Sequence, residues 1–236
     1  MKTGSELIDN ITEQQLSALK SMLGDSELLS QKGGFDADKV KLCSPIPVPK
    51  QDIICLGVNY DEHIRETSDI DDFSNKEYTV YFSKRANYTV GSGEKIPHYD
   101  IADSLDYEAE LGVIIGKDAK NVSAADAVKY IFGYTVINDV SARNLQLCHK
   151  QWYMGKSLDG YTAMGSCIVT ADEINVNGGL DISCTVNGEL RQSSNTKYMI
   201  QNIPNAIAEL SAGYMKSGDC VVCTVEKIGS LVNYCE

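Results

Sequence analysis

The chain has 236 residues, of which 43% are hydrophobic and 23% charged, an ordinary composition for a globular protein and not that of a disordered one. Its 33 acidic residues outnumber the 21 basic ones and leave a net charge of -12, which disfavours nucleic acid as a partner. The same charge repels an anionic substrate, and a cation held in the site would compensate for that repulsion.

Hydropathy and cysteine usage indicate the compartment. No stretch approaches the roughly 20 apolar residues of a membrane helix, and the first ten residues lack the charged and apolar regions of a secretion signal. The eight cysteines are scattered, several of them in apolar runs, as is typical of reduced thiols. We therefore expect a cytoplasmic protein with no membrane partner and no disulfides.

The predicted elements begin with a helix and continue mainly as strands. Thr12–Leu23 places apolar residues at helical spacing, and the glycines and prolines that follow predict a small N-terminal appendage over 1–48 and a large domain over 49–236. The predicted strands are short and β-rich: Ile53–Gly57, Tyr78–Ser83, Leu111–Ile115, Thr135–Asn138, Ser166–Thr170, Ile182–Val186 and Cys220–Val225, the last extending towards Val232.

Two further helices are predicted late in the chain. Ala124–Ile131 follows Ser123, a favourable N-cap, and Pro204–Leu210 begins with proline in a helix-start position. Because the strands are numerous and do not alternate regularly with helices, the pattern argues against a doubly wound sheet. It predicts an α+β fold that is mainly β, with a sandwich or distorted-barrel core and a few peripheral helices.

Three acidic residues form a candidate metal site. Glu108 and Glu110 precede an apolar run, and in a strand two residues separated by one project from the same face. Such a pair of hard oxygen donors suits magnesium, manganese or calcium, and Asp139, at the end of another apolar run, offers a third donor. A lone Glu-x-Glu more often faces solvent, so the pair gains weight only from its surroundings.

Those surroundings resemble a known family. The segments Leu105–Gly116, Phe132–Arg143 and Gly155–Gly160, together with Gly57–His63 upstream, resemble motifs of the fumarylacetoacetate hydrolase family and occur in the family order. The similarity covers about residues 45–211. It implies a mixed β-roll or sandwich core of the fumarylacetoacetase C-terminal-domain type in the catalytic domain, assembled as a homodimer. It also implies that Glu108, Glu110 and Asp139 hold a divalent cation, Mg²⁺ or Mn²⁺, with Ca²⁺ as an alternative.

The resemblance also assigns the remaining site residues. His63 and Glu66 match a His-x-x-Glu pair that acts as a general base in family members, and Lys156 matches a lysine that contacts the substrate near the metal. Gln146 matches a substrate-binding glutamine, and Lys84 matches a lysine that helps to shape the site. On spacing alone, a surface histidine with an incidental acidic neighbour and a solvated surface lysine are the ordinary alternatives.

The implied activity is metal-dependent cleavage of a carbon–carbon bond in a small 2-oxo acid of the acylpyruvate type. A hydrolase or a decarboxylase would both proceed through an enolate that the cation stabilises as a Lewis acid. The alternatives are an isomerase of the 2-hydroxyhepta-2,4-diene-1,7-dioate type and an impaired, metal-dependent binder. The last alternative arises because the family's Thr-Gly-Thr-Pro turn, which supplies a threonine near the substrate carboxylate, has no counterpart after Ser211.

Overall fold

A computed structural model describes residues 4–25, 27, 36–60, 78–212, 220–225 and 229–234. The chain forms two compact units. The first comprises Met1–Lys117 and Ile131–Ile200, and the second comprises Asp118–Tyr130 and Gln201–Glu236. Every predicted site residue lies within the sequence ranges of the first unit.

The described part is mainly β. Its α-helices are α1 (Gly4–Asn10), α2 (Glu13–Leu23), α3 (Arg143–Cys148), α4 (Tyr153–Lys156) and α5 (Ile203–Ser211). Short 3₁₀ helices lie at Ala37–Lys39, Ala127–Tyr130, Ala171–Glu173, Val176–Gly178 and Thr196–Tyr198. The strands are β1 (Ile53–Gly57), β2 (Val80–Lys84), β3 (Leu105–Asp106), β4 (Ala109–Ile115), β5 (Ile131–Asp139), β6 (Ser141–Ala142), β7 (Thr162–Met164), β8 (Val169–Thr170), β9 (Asp181–Val186), β10 (Glu189–Asn195), β11 (Cys220–Val225) and β12 (Gly229–Tyr234).

Helix α2 begins where the sequence predicts it. Thr12 is the N-cap, and its side chain and backbone exchange hydrogen bonds with Gln15 in a capping box. Lys20 then forms an ion pair of 2.5 Å with Asp172, beside the 3₁₀ helix Ala171–Glu173. The appendage boundary at residue 48 remains a prediction.

A four-stranded antiparallel sheet organises the first unit. Strand β5 lies at its centre, with β4 on one side and β7 and β8 on the other. Beyond Asp139 the chain continues into β6, which pairs with β3. The pairing register is the same before and after this interruption, because Asp106 lies opposite Ser141 and Ala109 lies opposite Asn138. The break between β3 and β4 therefore lies beside the break between β5 and β6.

The buried core adjoins this interruption. It comprises Ala102, Val140, Ala142, Leu145 and Tyr161, with Tyr99 and Leu158 packed against it. Val140 and Ala142 belong to the segment that links β5 with β6, so burial of their side chains fixes the backbone next to Asp139. The core thus stabilises the part of the sheet that carries the acidic residues.

Two antiparallel pairs complete the strands of the first unit. Strand β1 pairs with β2, and β9 pairs with β10. The turn between β9 and β10 is Asn187-Gly188, and both residues have positive φ, as a two-residue hairpin of the Asn-Gly type requires. The register of this hairpin shifts by one residue between Leu190 and Gln192.

The second unit contains α5, the 3₁₀ helix Ala127–Tyr130 and the β11–β12 pair. Helix α5 has Asn202 as its N-cap, and Pro204 lies in its first turn, where the sequence predicted a helix start. The backbone amide of Asn121 donates to the carbonyl of Ser211 over 2.8 Å at the other end of this helix. Among the described residues, no helix combines the length and apolar composition needed to span a membrane.

The predicted fold class is confirmed, and several element bounds need correction. The predicted helix Ala124–Ile131 is wrong: turns and a 3₁₀ helix end at Tyr130, because Ile131 starts the pairing of β5 with β4. The predicted final strand to Val232 is two strands that form a hairpin. Strands β4 and β5 also begin earlier than predicted, and the sequence patterns did not indicate the short helices α3 and α4.

Candidate active site

The three acidic residues lie where the two strands are interrupted. Glu108 occupies the two-residue break between β3 and β4, Glu110 lies within β4, and Asp139 ends β5. The backbone amide of Asp139 donates to the carbonyl oxygen of Glu108 over 2.8 Å. The amide of Glu108 in turn donates to the side-chain oxygen of Asn138 over 3.1 Å. The structure therefore brings Glu108 directly beside Asp139, as the sequence predicts.

Lys156 lies between two of these carboxylates. Its Nζ atom donates to Glu108 Oε2 over 2.6 Å and to Asp139 Oδ2 over 2.9 Å, and its side chain is only 2% exposed. Gly155 makes this approach possible. A Cβ atom at Gly155 would lie 2.5 Å from the backbone nitrogen of Gln146, so a larger residue would push α4 away from α3.

Lys84 holds the other side of Asp139. Its Nζ atom forms an ion pair with Asp139 Oδ1 and donates to the carbonyl oxygen of Val140 over 2.9 Å. Its side chain is 1% exposed. In this arrangement Lys84 orients Asp139.

Arg143, to which the sequence patterns gave no separate role, joins three side chains. It donates to Glu108 Oε1 through a terminal nitrogen and to Asp106 Oδ2 through Nε, both over 2.7 Å. Its other terminal nitrogen donates to Gln146 Oε1 over 2.8 Å. Gln146 is therefore held within the cluster, with its carbonyl oxygen turned to Arg143. Arg143 ends the Asn-Asp-x-Ser-Ala-Arg motif, four residues after Asp139, and this position is the sequence feature that could have indicated its role.

Each carboxylate oxygen of Glu108 and Asp139 thus faces a cationic side chain, and the charges shift one another's pKa. Burial opposes ionisation of Asp139, but Lys84 and Lys156 hold its pKa below the usual value. Burial also acts to lower the pKa of Lys156, and attraction to Asp139 and Glu108 prevails and raises it. For Lys84 burial prevails and the pKa is lowered.

Glu110 is the exception. Partial burial, and then the negative charges of Glu108 and Asp139, raise the pKa of Glu110 to about 8. No hydrogen bond or ion pair joins its carboxylate to another described residue. Within the described ranges, no three His, Cys, Asp or Glu side chains are arranged to hold a metal ion as they stand. Glu108 and Asp139 therefore turn their oxygens towards lysine and arginine, whereas Glu110 has no such partner among the described residues.

Aromatic side chains border the cluster. Lys156 Nζ lies 5.2 Å from the centre of the Phe82 ring, and Phe82 meets Trp152 edge to face with ring centres 5.2 Å apart. A Cβ atom on Gly57 would lie 2.5 Å from the Trp152 ring, so this strand position admits the indole only because it is glycine. These rings shield one side of the Lys156 ammonium.

The predicted base lies outside the described residues, since His63 and Glu66 both fall in the gap between residues 60 and 78. The acidic cluster contributes to the raised pKa values of two groups on the described side of that gap, Cys55 and Tyr60. Burial, followed by the charge of Asp139, raises the pKa of the Cys55 thiol to about 12. Burial, followed by the charge of Glu110, raises the pKa of Tyr60 to about 12, and its hydroxyl is buried without a hydrogen-bond partner among the described residues.

The sequence motifs predicted a mainly β fold and placed Glu108, Glu110, Asp139 and Lys156 in one site. Residues 52–224 match the family described as fumarylacetoacetate (FAA) hydrolase C-terminal. The chain belongs to the fumarylacetoacetate hydrolase family, whose enzymes include hydrolases, isomerases and tautomerases or decarboxylases.

Named relatives illustrate this range. Oxaloacetate tautomerase YisK of Bacillus subtilis is 36% identical over 225 residues, which cover 84% of this chain and 74% of the relative. The structure of a fumarylacetoacetate hydrolase from psychrophilic Exiguobacterium antarcticum is 33% identical, with a TM-score of 0.65 over 85% of this chain and 80% of that one. The structure of 2-hydroxyhepta-2,4-diene-1,7-dioate isomerase from Mycobacterium marinum is 30% identical, with a TM-score of 0.63 over 85% and 79%.

Proposed function

We propose that this protein is a divalent-metal-dependent enzyme that acts on a small 2-oxo acid, and that it interconverts the keto and enol forms of oxaloacetate. The observation that carries the proposal is the buried Lys156 ammonium between Glu108 and Asp139, with Glu110 nearby on the same face. Similarity to an oxaloacetate tautomerase over most of the chain supports the substrate and the reaction.

The donor set fits a hard divalent cation. Glu108, Glu110 and Asp139 supply carboxylate oxygens, the ligands that Mg²⁺ and Mn²⁺ prefer. Burial, followed by the charges of Glu108 and Asp139, raises the pKa of Glu110, and no cationic side chain among the described residues forms an ion pair with it, so a divalent ion would supply a positive partner. Because Glu108 and Asp139 now face lysine and arginine, their side chains would have to turn to receive it. When bound, the ion would supply Lewis-acid polarisation of the 2-oxo group.

The residues of the chain supply binding and orientation. Lys156, released from one of its two carboxylates, would present its ammonium to the negative oxygen that develops at C2 of the substrate. Gln146 retains its amide nitrogen for a substrate carboxylate, because its carbonyl oxygen is occupied by Arg143. Lys84 keeps Asp139 in place throughout, and the aromatic wall of Phe82 and Trp152 excludes water from one side of Lys156.

The reaction transfers one proton without a change in composition. From the keto form, a base removes a proton from C3, the C2–C3 bond becomes double, and the C2 oxygen takes up a proton. We assign the base to His63, oriented by Glu66, as the sequence resemblance implies. Neither water nor a second substrate is consumed in this reaction.

A second candidate is the carbon–carbon cleavage predicted from the sequence, because the same enolate arises when an acylpyruvate is hydrolysed or oxaloacetate loses carbon dioxide. Similarity to the fumarylacetoacetate hydrolase of Exiguobacterium antarcticum favours it. Homodimer assembly and a cytoplasmic location also remain proposals.

The test starts from oxaloacetate prepared in its enol form. Chelator-treated protein is assayed with and without Mg²⁺ or Mn²⁺, and the enol absorbance, the keto form and released pyruvate are followed separately. We expect metal-dependent loss of enol without pyruvate. Lys156→Met and His63→Ala should abolish it, whereas Lys129→Met, which changes an exposed lysine of the second unit, should leave it unchanged.

Each outcome separates the candidates. Pyruvate formation that keeps pace with loss of enol would replace the tautomerase by a decarboxylase. Full activity after exhaustive metal removal, verified by elemental analysis, would overturn the metal requirement. Absence of turnover with both oxaloacetate and acetylpyruvate, in protein that binds Mn²⁺, would favour a binder with no catalytic role.

A further inference from the structure

We infer that Gln192 is a positioning residue for the acidic cluster and that it holds strand β4 at the point between Glu108 and Glu110. This inference rests on the proposed metal site. Gln192 lies in β10, 83 positions from the residue it contacts, and the sequence motifs gave it no role.

The contact is a reciprocal pair of hydrogen bonds with the backbone of one residue. The amide nitrogen of Ala109 donates to Gln192 Oε1 over 2.8 Å, and Gln192 Nε2 donates to the carbonyl oxygen of Ala109 over 2.9 Å. A side-chain amide carries the same donor and acceptor as a peptide group. Gln192 therefore pairs with Ala109 as a neighbouring strand would.

The position of Ala109 explains why such a partner is needed. Strand β4 lies at the edge of its sheet, with β5 on one side only. In an antiparallel pair the backbone groups of alternate residues point away from the neighbouring strand. The amide and carbonyl of Ala109 point to this outer side, whereas the carbonyl of Glu108 points to β5 and accepts from Asp139. Without Gln192 both groups of Ala109 would lack a hydrogen-bond partner among the described residues.

The hairpin that carries Gln192 is shaped for this contact. Gln192 pairs with Cys184, but Leu190 pairs with Thr185, so Arg191 is an extra residue in β10. A bulge of this kind changes the direction of the side chains that follow it. The exposed Arg191 side chain pairs with Glu189 in the same strand, and the partly buried Gln192 turns to β4.

The backbone position of Ala109 affects the acidic cluster because two of its carboxylates belong to the adjacent residues. Glu108 and Glu110 are the immediate neighbours of Ala109, and Glu108 itself lies in the break between β3 and β4. Any rotation of the peptide groups at Ala109 would move both carboxylates relative to Asp139. Partners that orient ligands in this way typically change metal affinity by 10- to 100-fold when removed.

The experiment compares Gln192→Met, which keeps the size of the side chain and removes both hydrogen bonds, with Gln14→Met, the same change at an exposed position of α2. Three quantities are measured on full-length protein: Mn²⁺ affinity by electron paramagnetic resonance, hydrogen exchange of the peptide that contains Ala109, and the urea midpoint without metal. We expect Gln192→Met to weaken Mn²⁺ binding on the order of tenfold and to accelerate exchange at Ala109. The urea midpoint should fall modestly below that of Gln14→Met, because two hydrogen bonds are lost, while the protein stays folded under the binding conditions.

Gln192→Glu provides a second variant that keeps one acceptor for the Ala109 amide and loses the donor to its carbonyl. It should accelerate exchange at Ala109 and weaken Mn²⁺ binding less than Gln192→Met does, because its added negative charge attracts the cation. Unchanged Mn²⁺ affinity in both variants, despite faster exchange at Ala109, would overturn the positioning role. Failure of the wild-type protein itself to bind Mn²⁺ would instead overturn the proposed metal site on which the inference depends.

Discussion

The two strands that supply the acidic cluster are held in different ways. Asp139 ends β5, the central strand, which has neighbours on both sides, and its side chain is 5% exposed. Glu108 and Glu110 come from the beginning of β4, an edge strand, and the Glu108 side chain is 17% exposed. Neighbouring strands on both sides fix the backbone of β5, and Lys84 and Lys156 hold the Asp139 side chain. On the edge strand, Arg143 holds the Glu108 side chain, and Gln192 takes the place of a second neighbouring strand at Ala109.

This contrast separates two tasks that one cluster has to perform. The buried, fully paired Asp139 gives the site a fixed reference point, and the more loosely held glutamates retain the freedom to turn from lysine and arginine to another cation. Substitutions at the two places should therefore differ in degree. A change at Asp139 should cost more folding stability than a change at Glu108.

The largest effect is expected for Asp139→Asn. This change leaves the buried Lys84 and Lys156 without a shared negative partner, and breaking a buried pair costs roughly 3–5 kcal/mol. Glu108→Gln, on the more exposed side, should cost roughly 1–3 kcal/mol. Urea unfolding of metal-free protein measures both. Equal losses in the two variants would contradict the contrast between the strands.

The next prediction concerns Lys156→Met. Removing the ammonium between Glu108 and Asp139 takes away a positive charge that repels a metal ion at the same carboxylates. Mn²⁺ binding, measured by calorimetry, should tighten on the order of tenfold even though turnover is lost. Lys84→Met is the matched comparison, and it should not tighten binding because Asp139 loses its orientation. Weaker Mn²⁺ binding in Lys156→Met would show that the lysine supports the metal site instead of competing for it.

Glu110 should make stability depend on pH. The pKa of Glu110 in the folded protein is raised from 4.5 to about 8, so the unfolded chain ionises at lower pH than the folded one. The free energy of unfolding of metal-free protein should therefore fall as the pH rises through this range, and Glu110→Gln should fall less. Glu13→Gln, at a side chain that is 95% exposed, serves as the control in urea titrations across the interval between the two pKa values, from 4.5 to about 8.

The same protonation predicts a calorimetric signature. Near neutral pH, binding of Mn²⁺ by Glu110 should release about one proton, since a metal ligand must be ionised. The observed heat should then vary with the ionisation enthalpy of the buffer in wild-type protein and much less in Glu110→Gln. A wild-type heat that is the same in all buffers would argue against Glu110 as a ligand.

The smallest effect is expected at the hairpin turn. Asn187 has φ of 53°, which an alanine adopts at a cost of about 1 kcal/mol or more, so Asn187→Ala should loosen β9 and β10. If the hairpin acts through Gln192, Mn²⁺ affinity should fall by less than in Gln192→Met. Asn121→Ala, the same change at a residue of the second unit with φ of 54°, is the control. A larger fall than in Gln192→Met would mean that the hairpin influences the site by another route.

Sequence patterns predicted some parts of this molecule better than others. Strand β1 has the predicted bounds because a continuous apolar run is flanked by polar residues, and the pairing of Glu108 with Asp139 follows from motifs in a fixed order. Lys156 was predicted only by resemblance, since nothing in a lone lysine indicates 2% exposure. Gln192 could not be predicted, because its role depends on a bulge and on a contact across 83 positions.

The protein contains one tryptophan, Trp152, and it stands at the edge of the Phe82 ring that faces Lys156. Its emission therefore originates beside the acidic cluster. Any movement of Lys156 away from Phe82 changes the electric field around the indole. The protein thus has a built-in optical reporter, and arrival of a metal ion or an oxo acid can be followed by fluorescence without a label.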